Sequence, residues 1–375
     1  MPPRDAREAR EAPDAATAPD APDARDSPVL PQDALRRVAY LLERARAETY
    51  KVRAFRRAAA TVDSTEPGRL RRLADVGRLS DLDGVGATTA KVIAEALSGE
   101  VPSYLRQLEA EAGEPGSGGE GGAAVSAQAL ELRRALRGDC HSHSDWSDGG
   151  SPIEEMARAA KSLGHDYWAL TDHSPRLTVA HGLDRERLLR QLEIVDRLNE
   201  EMAPFRVLSG IEVDILEDGT LDQDEDLLAR LDVVVASVHS KLRMPAEEMT
   251  PRMVRAVESS HVDILGHCTG RLIVGRGRPQ SAFDPEQVFG ACARTGTAVE
   301  INSRPERRDP PPDLLRAAEA LGCVFSVDTD AHAPGQLEWQ DLGCEQAVDA
   351  GVDATRVVNA RPLKDLLAWT AEHSA

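Results

Sequence analysis

The chain has 375 residues, room for two or three domains; 41% of it is hydrophobic but only 3% aromatic. Charged residues are 29%, the formal net charge is −19, and no apolar run approaches the ~18–20 residues of a membrane-spanning helix. Five cysteines at unpaired spacings and an acidic start without an apolar stretch exclude a disulfide scaffold, a zinc ribbon and a signal peptide; the expectation is a soluble, cytoplasmic protein.

Residues 1–28 repeat Pro, Asp and Ala with almost nothing to bury, the composition of a disordered tail. Residues 29–110 read as all helical. Leu35, Val38, Ala39, Leu41 and Leu42 make an apolar helix face, KVRAFRRAAATV (51–62) opens with four basic residues in seven, and LRRLADVG (70–77) precedes LSDLDGVGATTAKVIAEAL (79–97). A Gly/Ser-rich linker follows over 111–130, and residues 131–375 form the large domain. Charge divides along the same lines, with −3 on the tail, +3 on the small domain, −3 on the linker and −16 on the large domain. The total of −19 argues against nucleic acid, whereas the partition isolates one mildly basic module.

The large domain alternates short strands with helices. Strands are expected near 136–140 and at 167–171, 206–213, 232–238, 262–265, 297–302 and 323–329. Helices are expected at 153–163, 185–202, 253–260 and 312–321. Seven such units predict a parallel sheet closed into a barrel, with working residues at the C-terminal strand ends. The polar residues fall there. Six of ten histidines follow strands: His141, His143, His173, His239, His267 and His332, with Asp148, Asp172, Glu212, Asp328 and Asp330 among them. Packing does not explain six histidines at one end of successive strands. Imidazole and carboxylate suit zinc, manganese or iron, and this many ligands fit two or three divalent ions.

The order HSHSDWSDG, TDHS, GIEVDI, VASVHS, LGHCTGR, VEIN and DTDAH resembles the PHP (polymerase and histidinol phosphatase) domain throughout. The resemblance implies an α/β fold, a distorted (β/α)7 TIM-like barrel with a trinuclear site. One ion would use His141, His143, Glu212 and Asp330; a second would share Glu212 and add His239 and His267; a third would use Asp148, His173 and His332. A metal-bound hydroxide would be the nucleophile and Asp172 would act from behind a ligand. Lys241, Arg271 and Arg304 follow strand ends and are the expected phosphate-facing cations, as is Arg176. Cys140, Cys268 and Asp328 depart from the family pattern beside ligand positions without removing a ligand.

In the small domain, LDGVGATTAKVI fits a helix-hairpin-helix whose Gly84-Val85-Gly86 turn admits a close phosphate. With the basic stretch carrying Lys51, Arg53, Arg56 and Arg57, it resembles the N-terminal DNA-binding domain of family X DNA polymerases. Here the linker stands where that family has its polymerase core, so no polymerase activity is expected. Val92 occupies the position of the Schiff-base lysine, which argues against lyase chemistry. The expected function is a metal-dependent 3′–5′ exonuclease or 3′-end-processing enzyme of DNA repair, binding strand ends or gaps. The alternatives are a histidinol-phosphatase-type phosphomonoesterase and a non-catalytic DNA-binding protein.

Overall fold

The computed structural model describes residues 29–112 and 125–373, so the expected tail at 1–28 and linker residues 113–124 lie outside the described residues. Helices α1 (Pro31–Arg44), α2 (Thr49–Ser64), α3 (Pro67–Asp75), α4 (Ala87–Leu97) and α5 (Ser103–Ala112) form the small domain. Their apolar faces meet in a core of their own: Leu35, Val38 and Leu42 of α1 pack with Phe55, Ala58 and Val62 of α2, Val92 and Ile93 of α4 and Leu105 of α5. Helix α5 went unforeseen because only Leu105 and Leu108 mark its buried face.

Helix α6 (Ala127–Ala135), capped by the Ser126 side chain, begins inside the segment expected to be linker. Ala129 and Leu132 bury against the barrel, which outweighs the Gly/Ser composition just before them. The barrel then runs β1 (Gly138–Asp139), α7 (Ile153–Ser162), β2 (Tyr167–Leu170), α8 (Arg185–Met202), β3 (Arg206–Asp214), α9 (Glu225–Leu228) and β4 (Val233–Ser237). It continues α10 (Ala246–Val257), β5 (Ile264–Leu265), α11 (Pro285–Thr295), β6 (Ala298–Asn302), α12 (Pro312–Ala320), β7 (Phe325–Asp328), α13 (Gln340–Asp349) and α14 (Leu363–His373). Helix α10 starts seven residues before the expected 253, and Pro251 sits inside it at the cost of one backbone hydrogen bond.

The seven strands are parallel in the order β1 to β7. The barrel is distorted at β3, whose first half pairs with β2 and whose second half pairs with β4. Gly210 marks the change of partner, and a Cβ there would lie 2.8 Å from the Val233 carbonyl oxygen. No β7–β1 ladder forms among the described residues. The gap is closed at the strand ends instead, where Asp330 N donates to His141 O at 3.0 Å and His143 N to Ala331 O at 2.8 Å.

Period-2 alternation sorts the side chains. Ile211, Val213, Val299, Ile301 and Val327 face the outer helices. Their neighbours point inward: Leu208, Val233, Val235, Ile264 and Ala298 fill the lower barrel, closed by Leu366 and Trp369 of α14. Continuing up the inward rows, Leu208 gives way to Glu212 and Asp214, and Ala298 to Glu300 and Asn302, all buried. The barrel is thus apolar at its base and acidic at its mouth.

The small domain is docked on the barrel rather than only tethered to it. Helix α1 lies on the turn Pro334–Trp339: Tyr40 Oη is 2.5 Å from Glu338, Arg44 pairs with Glu338 at 2.8 Å, and Trp339 Nε1 donates to Arg44 O at 3.1 Å. A cleft of about 770 Å³ runs between α1 and α7 and includes none of the strand-end histidines.

Candidate metal centre

All nine expected ligands converge at the barrel mouth. They form four overlapping sets in which every ligand atom lies within 4.8 Å of the others: His143/Asp148/His173/His332, His141/His143/Asp330, His141/Glu212/His267 and His173/Glu212/His239. Glu212 is central. Its Oε1 lies 3.3 Å from His239 Nε2 and 2.9 Å from His267 Nε2, while Oε2 faces His141 and His143 at 3.4 and 3.6 Å. These sets overlap the expected ligand groups but divide differently, since His267 falls with His141, and His239 with His173.

The histidines are held from behind. His141 Nδ1 is 2.6 Å from Glu300, His239 Nδ1 is 2.5 Å from Asp214, and His332 Nδ1 is 2.8 Å from the Asp330 carbonyl oxygen. A bonded Nδ1 leaves Nε2 aimed into the cluster, the usual arrangement for a metal-bound imidazole. Glu300 and Asp214 were not anticipated; only their place on the inward rows of β6 and β3 marks them. Asp330 has φ +52°, a left-handed backbone that aspartate tolerates better than most residues and that turns its carboxylate back across the mouth.

Inside the cluster, hydrogen bonding is missing where burial demands it. His141 Nε2, both nitrogens of His143, His173 Nδ1 and both oxygens of Glu212 are buried without a hydrogen-bond partner among the described residues. His173 Nδ1 is 2.9 Å from Glu212 but not aligned for a hydrogen bond. Leaving these groups dry and unpaired is costly, whereas divalent cations satisfy imidazole nitrogens and carboxylate oxygens together. The residues present therefore fit a metal centre. Electrostatics agree. Burial opposes the charge on Glu212, but His239, His141 and His173 outweigh it and hold the carboxyl well below its usual range. Asp330 is likewise held low, mainly by Arg304 and Arg307, against its burial. Burial, with His332 and His173 nearby, pushes His143 down to about 3, leaving it neutral and able to donate a lone pair.

The other expected site residues separate. Asp172 is buried and accepts from Ser144 N and Oγ, Ser147 Oγ and Gln191 Nε2 at 2.5–2.8 Å, so it fixes the loop between His143 and Asp148. Arg304 reaches the centre, its Nη1 2.9 Å from Asp330 O and 2.8 Å from His332 Nδ1. Arg271 does not: its guanidinium is spent on the carbonyls of Arg307 and Arg308, where it braces the loop after β6. Lys241 is exposed beside Glu217. Arg307, absent from the expected set, is half-buried with Nε 3.0 Å from Asp330 Oδ2, and its Nε and Nη1, shielded from solvent, make no hydrogen bond among the described residues. Its only mark in the sequence is membership of the arginine-rich loop that follows VEIN. Cys268 sits in an apolar cluster with its Sγ 3.8 Å from Asp309, and Cys140 packs in the barrel interior.

In the small domain, Lys51, Arg53 and Arg57 are exposed, the last paired with Asp83 at 2.6 Å. Gly84 has φ +72° and lies under Arg57, Val85 is buried, and the Gly86 amide is taken by Thr89 Oγ1 at 2.9 Å. Arg56 is not on the open surface: it is bound to Glu43 and Glu155 at the domain interface.

Comparison with known proteins gives two family matches, the PHP domain over residues 139–303 and a helix-hairpin-helix domain over residues 29–101. The chain is 43% identical over 244 residues to the DNA polymerase/3′-5′ exonuclease PolX of Bacillus subtilis, a match covering 65% of this chain but only 42% of that protein. It is 31% identical over 238 residues to a probable phosphatase of Shewanella oneidensis, covering 60% of this chain and 88% of that one. Among solved structures, a Lactococcus lactis histidinol phosphate phosphatase complexed with zinc, L-histidinol and phosphate aligns with TM-score 0.43 and 18% identity over 58% of this chain and 95% of that one.

Proposed function

The chain belongs to the PHP-domain family, and we propose that it is a metal-dependent phosphoesterase acting on DNA, a 3′–5′ exonuclease or 3′-end-processing enzyme without polymerase activity. The observation that carries this reading is the seating of a helix-hairpin-helix domain directly on the loops that bear the candidate metal centre. Two or three divalent ions, of zinc, manganese or iron, held by the nine residues would supply an activated water and neutralise charge at phosphorus.

The chain's own residues have distinct parts. Glu212, ionised and central, ties the histidines of β1, β2, β4 and β5 into one charge-balanced set. Arg304 and Arg307 place positive charge beside Asp330, where the oxygens of a bound phosphodiester would sit. Asp172 positions the ligand loop without touching the cluster. Lys51, Arg53, Arg57 and the Gly84–Gly86 hairpin would grip the DNA backbone, with the acidic barrel favouring a single strand end over a long duplex.

A second reading, a small-molecule phosphomonoesterase, is favoured by the near full-length match to probable phosphatases. One experiment separates the two. Metal-loaded protein should shorten 5′-labelled single-stranded and gapped DNA stepwise from the 3′ end, and His141→Ala should abolish this. Intact DNA with rapid hydrolysis of p-nitrophenyl phosphate would select the second reading, and neither activity would remove both.

A further inference from the structure

Between the domains lies a buried ion-pair unit to which neither the metal centre nor the DNA grip has assigned a purpose. Glu43 of α1 is only 4% exposed, an unusual position for a carboxylate. It is fully occupied. Arg56 of α2 donates to it twice, Nε to Oε1 and Nη2 to Oε2, both at 2.9 Å, and the backbone amide of Gly335 donates to Oε2 at 3.0 Å. The remaining nitrogen of Arg56, Nη1, donates to Glu155 Oε2 of α7 at 2.8 Å. One carboxylate and one guanidinium of the small domain thus hold two separate segments of the barrel.

Both segments carry candidate ligands. Gly335 lies three residues beyond His332, and the intervening turn is tied back by Gln336, whose Oε1 accepts from His332 N at 2.8 Å. Glu155 lies in the first turn of α7, directly after the loop bearing Asp148, and that loop bonds to the first through Gly150 N to His332 O at 2.6 Å. The domains meet so closely here that a Cβ on Gly335 would stand 2.1 Å from Tyr40 O and 3.0 Å from Arg44 N. His332 and Asp148 face each other at the rim of the mouth. They are the most exposed of the nine, at 19% and 36% of the side chain; His332 Nε2 lies 3.3 Å from Asp148 Oδ1, which also stands 3.4 Å from His173 Nε2.

We infer that Glu43 and Arg56 are positioning residues of the metal centre: the small domain completes the outer ligand set His143/Asp148/His173/His332 by locking the loops of Asp148 and His332 together. This inference rests on the metal-centre reading of that cluster. The inner sets around Glu212 stand on strand ends and owe nothing to the small domain. Disturbing the clamp therefore acts on one class of metal site and spares the others.

Zinc titration of the full-length apoprotein, with bound zinc counted by mass spectrometry after dialysis against buffered free zinc, reads this directly. Glu43→Ala, Arg56→Lys and Gly335→Ala should each weaken the outermost class of zinc site by roughly 10–100-fold, the range for loss of a residue that orients a ligand, and leave the tighter classes unchanged. Glu43→Gln, which keeps one acceptor for Gly335, should fall between Glu43→Ala and wild type. Circular dichroism of the metal-free variants reports folding. If Glu43→Ala fails to fold, the milder Arg56→Lys and Glu43→Gln read the same quantity. Folded variants that bind zinc as wild type does overturn the inference, as does equal weakening of every class. A wild-type protein that binds no zinc or manganese instead overturns the metal-centre reading beneath it.

Discussion

Replacing Arg307 with methionine removes a buried guanidinium while keeping much of its volume. Its Nε lies 3.0 Å from Asp330 Oδ2, and Nε and Nη1 have no hydrogen-bond partner among the described residues. Burial opposes the charge, but Asp330, Glu212, Asp309 and Glu300 outweigh it and hold the guanidinium above its usual range, so it is a cation at every working pH. Two charges about 4 Å apart interact by about 4 kcal/mol at an effective dielectric near 20. Loss of one positioned donor to a developing oxyanion costs about 2.7–4 kcal/mol in other enzymes. Both figures predict that Arg307→Met lowers kcat/KM by roughly 100–1,000-fold. The same substitution removes positive charge beside these four carboxylates, so metal affinity should hold or rise. Steady-state hydrolysis of labelled DNA or p-nitrophenyl phosphate, paired with zinc titration, tests that split. A fall in kcat/KM below roughly fivefold, or a parallel loss of metal, would refute the assignment of Arg307 to the substrate.

Burial, and then Arg133, push His165 down to about 3, so it is neutral when folded but protonates near 6.5 when unfolded. A depressed pKa adds stability above pH 6.5 that is lost as pH falls toward 3. The loss is about 2 kcal/mol by pH 5, and urea unfolding of metal-free His165→Gln should show a flatter profile between pH 7 and 5 than wild type. Chelation should lower the melting temperature by several degrees, since ligand at a hundredfold its Kd adds about 2.7 kcal/mol; the increment should shrink in Glu212→Gln, which touches two ligand sets, and an unchanged melt on chelation would contradict the site. Borohydride should trap no adduct with abasic DNA, because Val92 is fully buried and Lys91 is exposed beside Glu95; a stable cross-link would revise that reading.

Much of the candidate metal centre could be read locally because in a parallel barrel each strand delivers its next residue to the same mouth. His141, His173, Glu212, His239 and His267 needed only that rule and the position of the strands. Helix positions failed where the local signal was weak, as at the start of α10, which carries Pro251 inside it, and at the serine cap that starts α6 within a stretch expected to be linker. The arginines were harder. Arg271, Arg304 and Arg307 all follow strands, and long flexible side chains at loop positions can turn either way. Only the folded loop shows Arg271 spent on carbonyls and Arg307 turned toward Asp330.

What the sequence by itself determined is the inventory: two domains of opposite charge, seven strand ends, and a set of imidazoles and carboxylates suited to divalent ions. It determined these because periodicity, composition and strand-end chemistry are local. What only the tertiary structure decided is which groups neutralise which. Arg56, read as a DNA contact, binds Glu43 and Glu155, and Glu43 in turn holds Gly335 from 292 positions away. A buried charge takes whatever partner the fold brings within hydrogen-bonding distance, and separation along the chain carries no record of it.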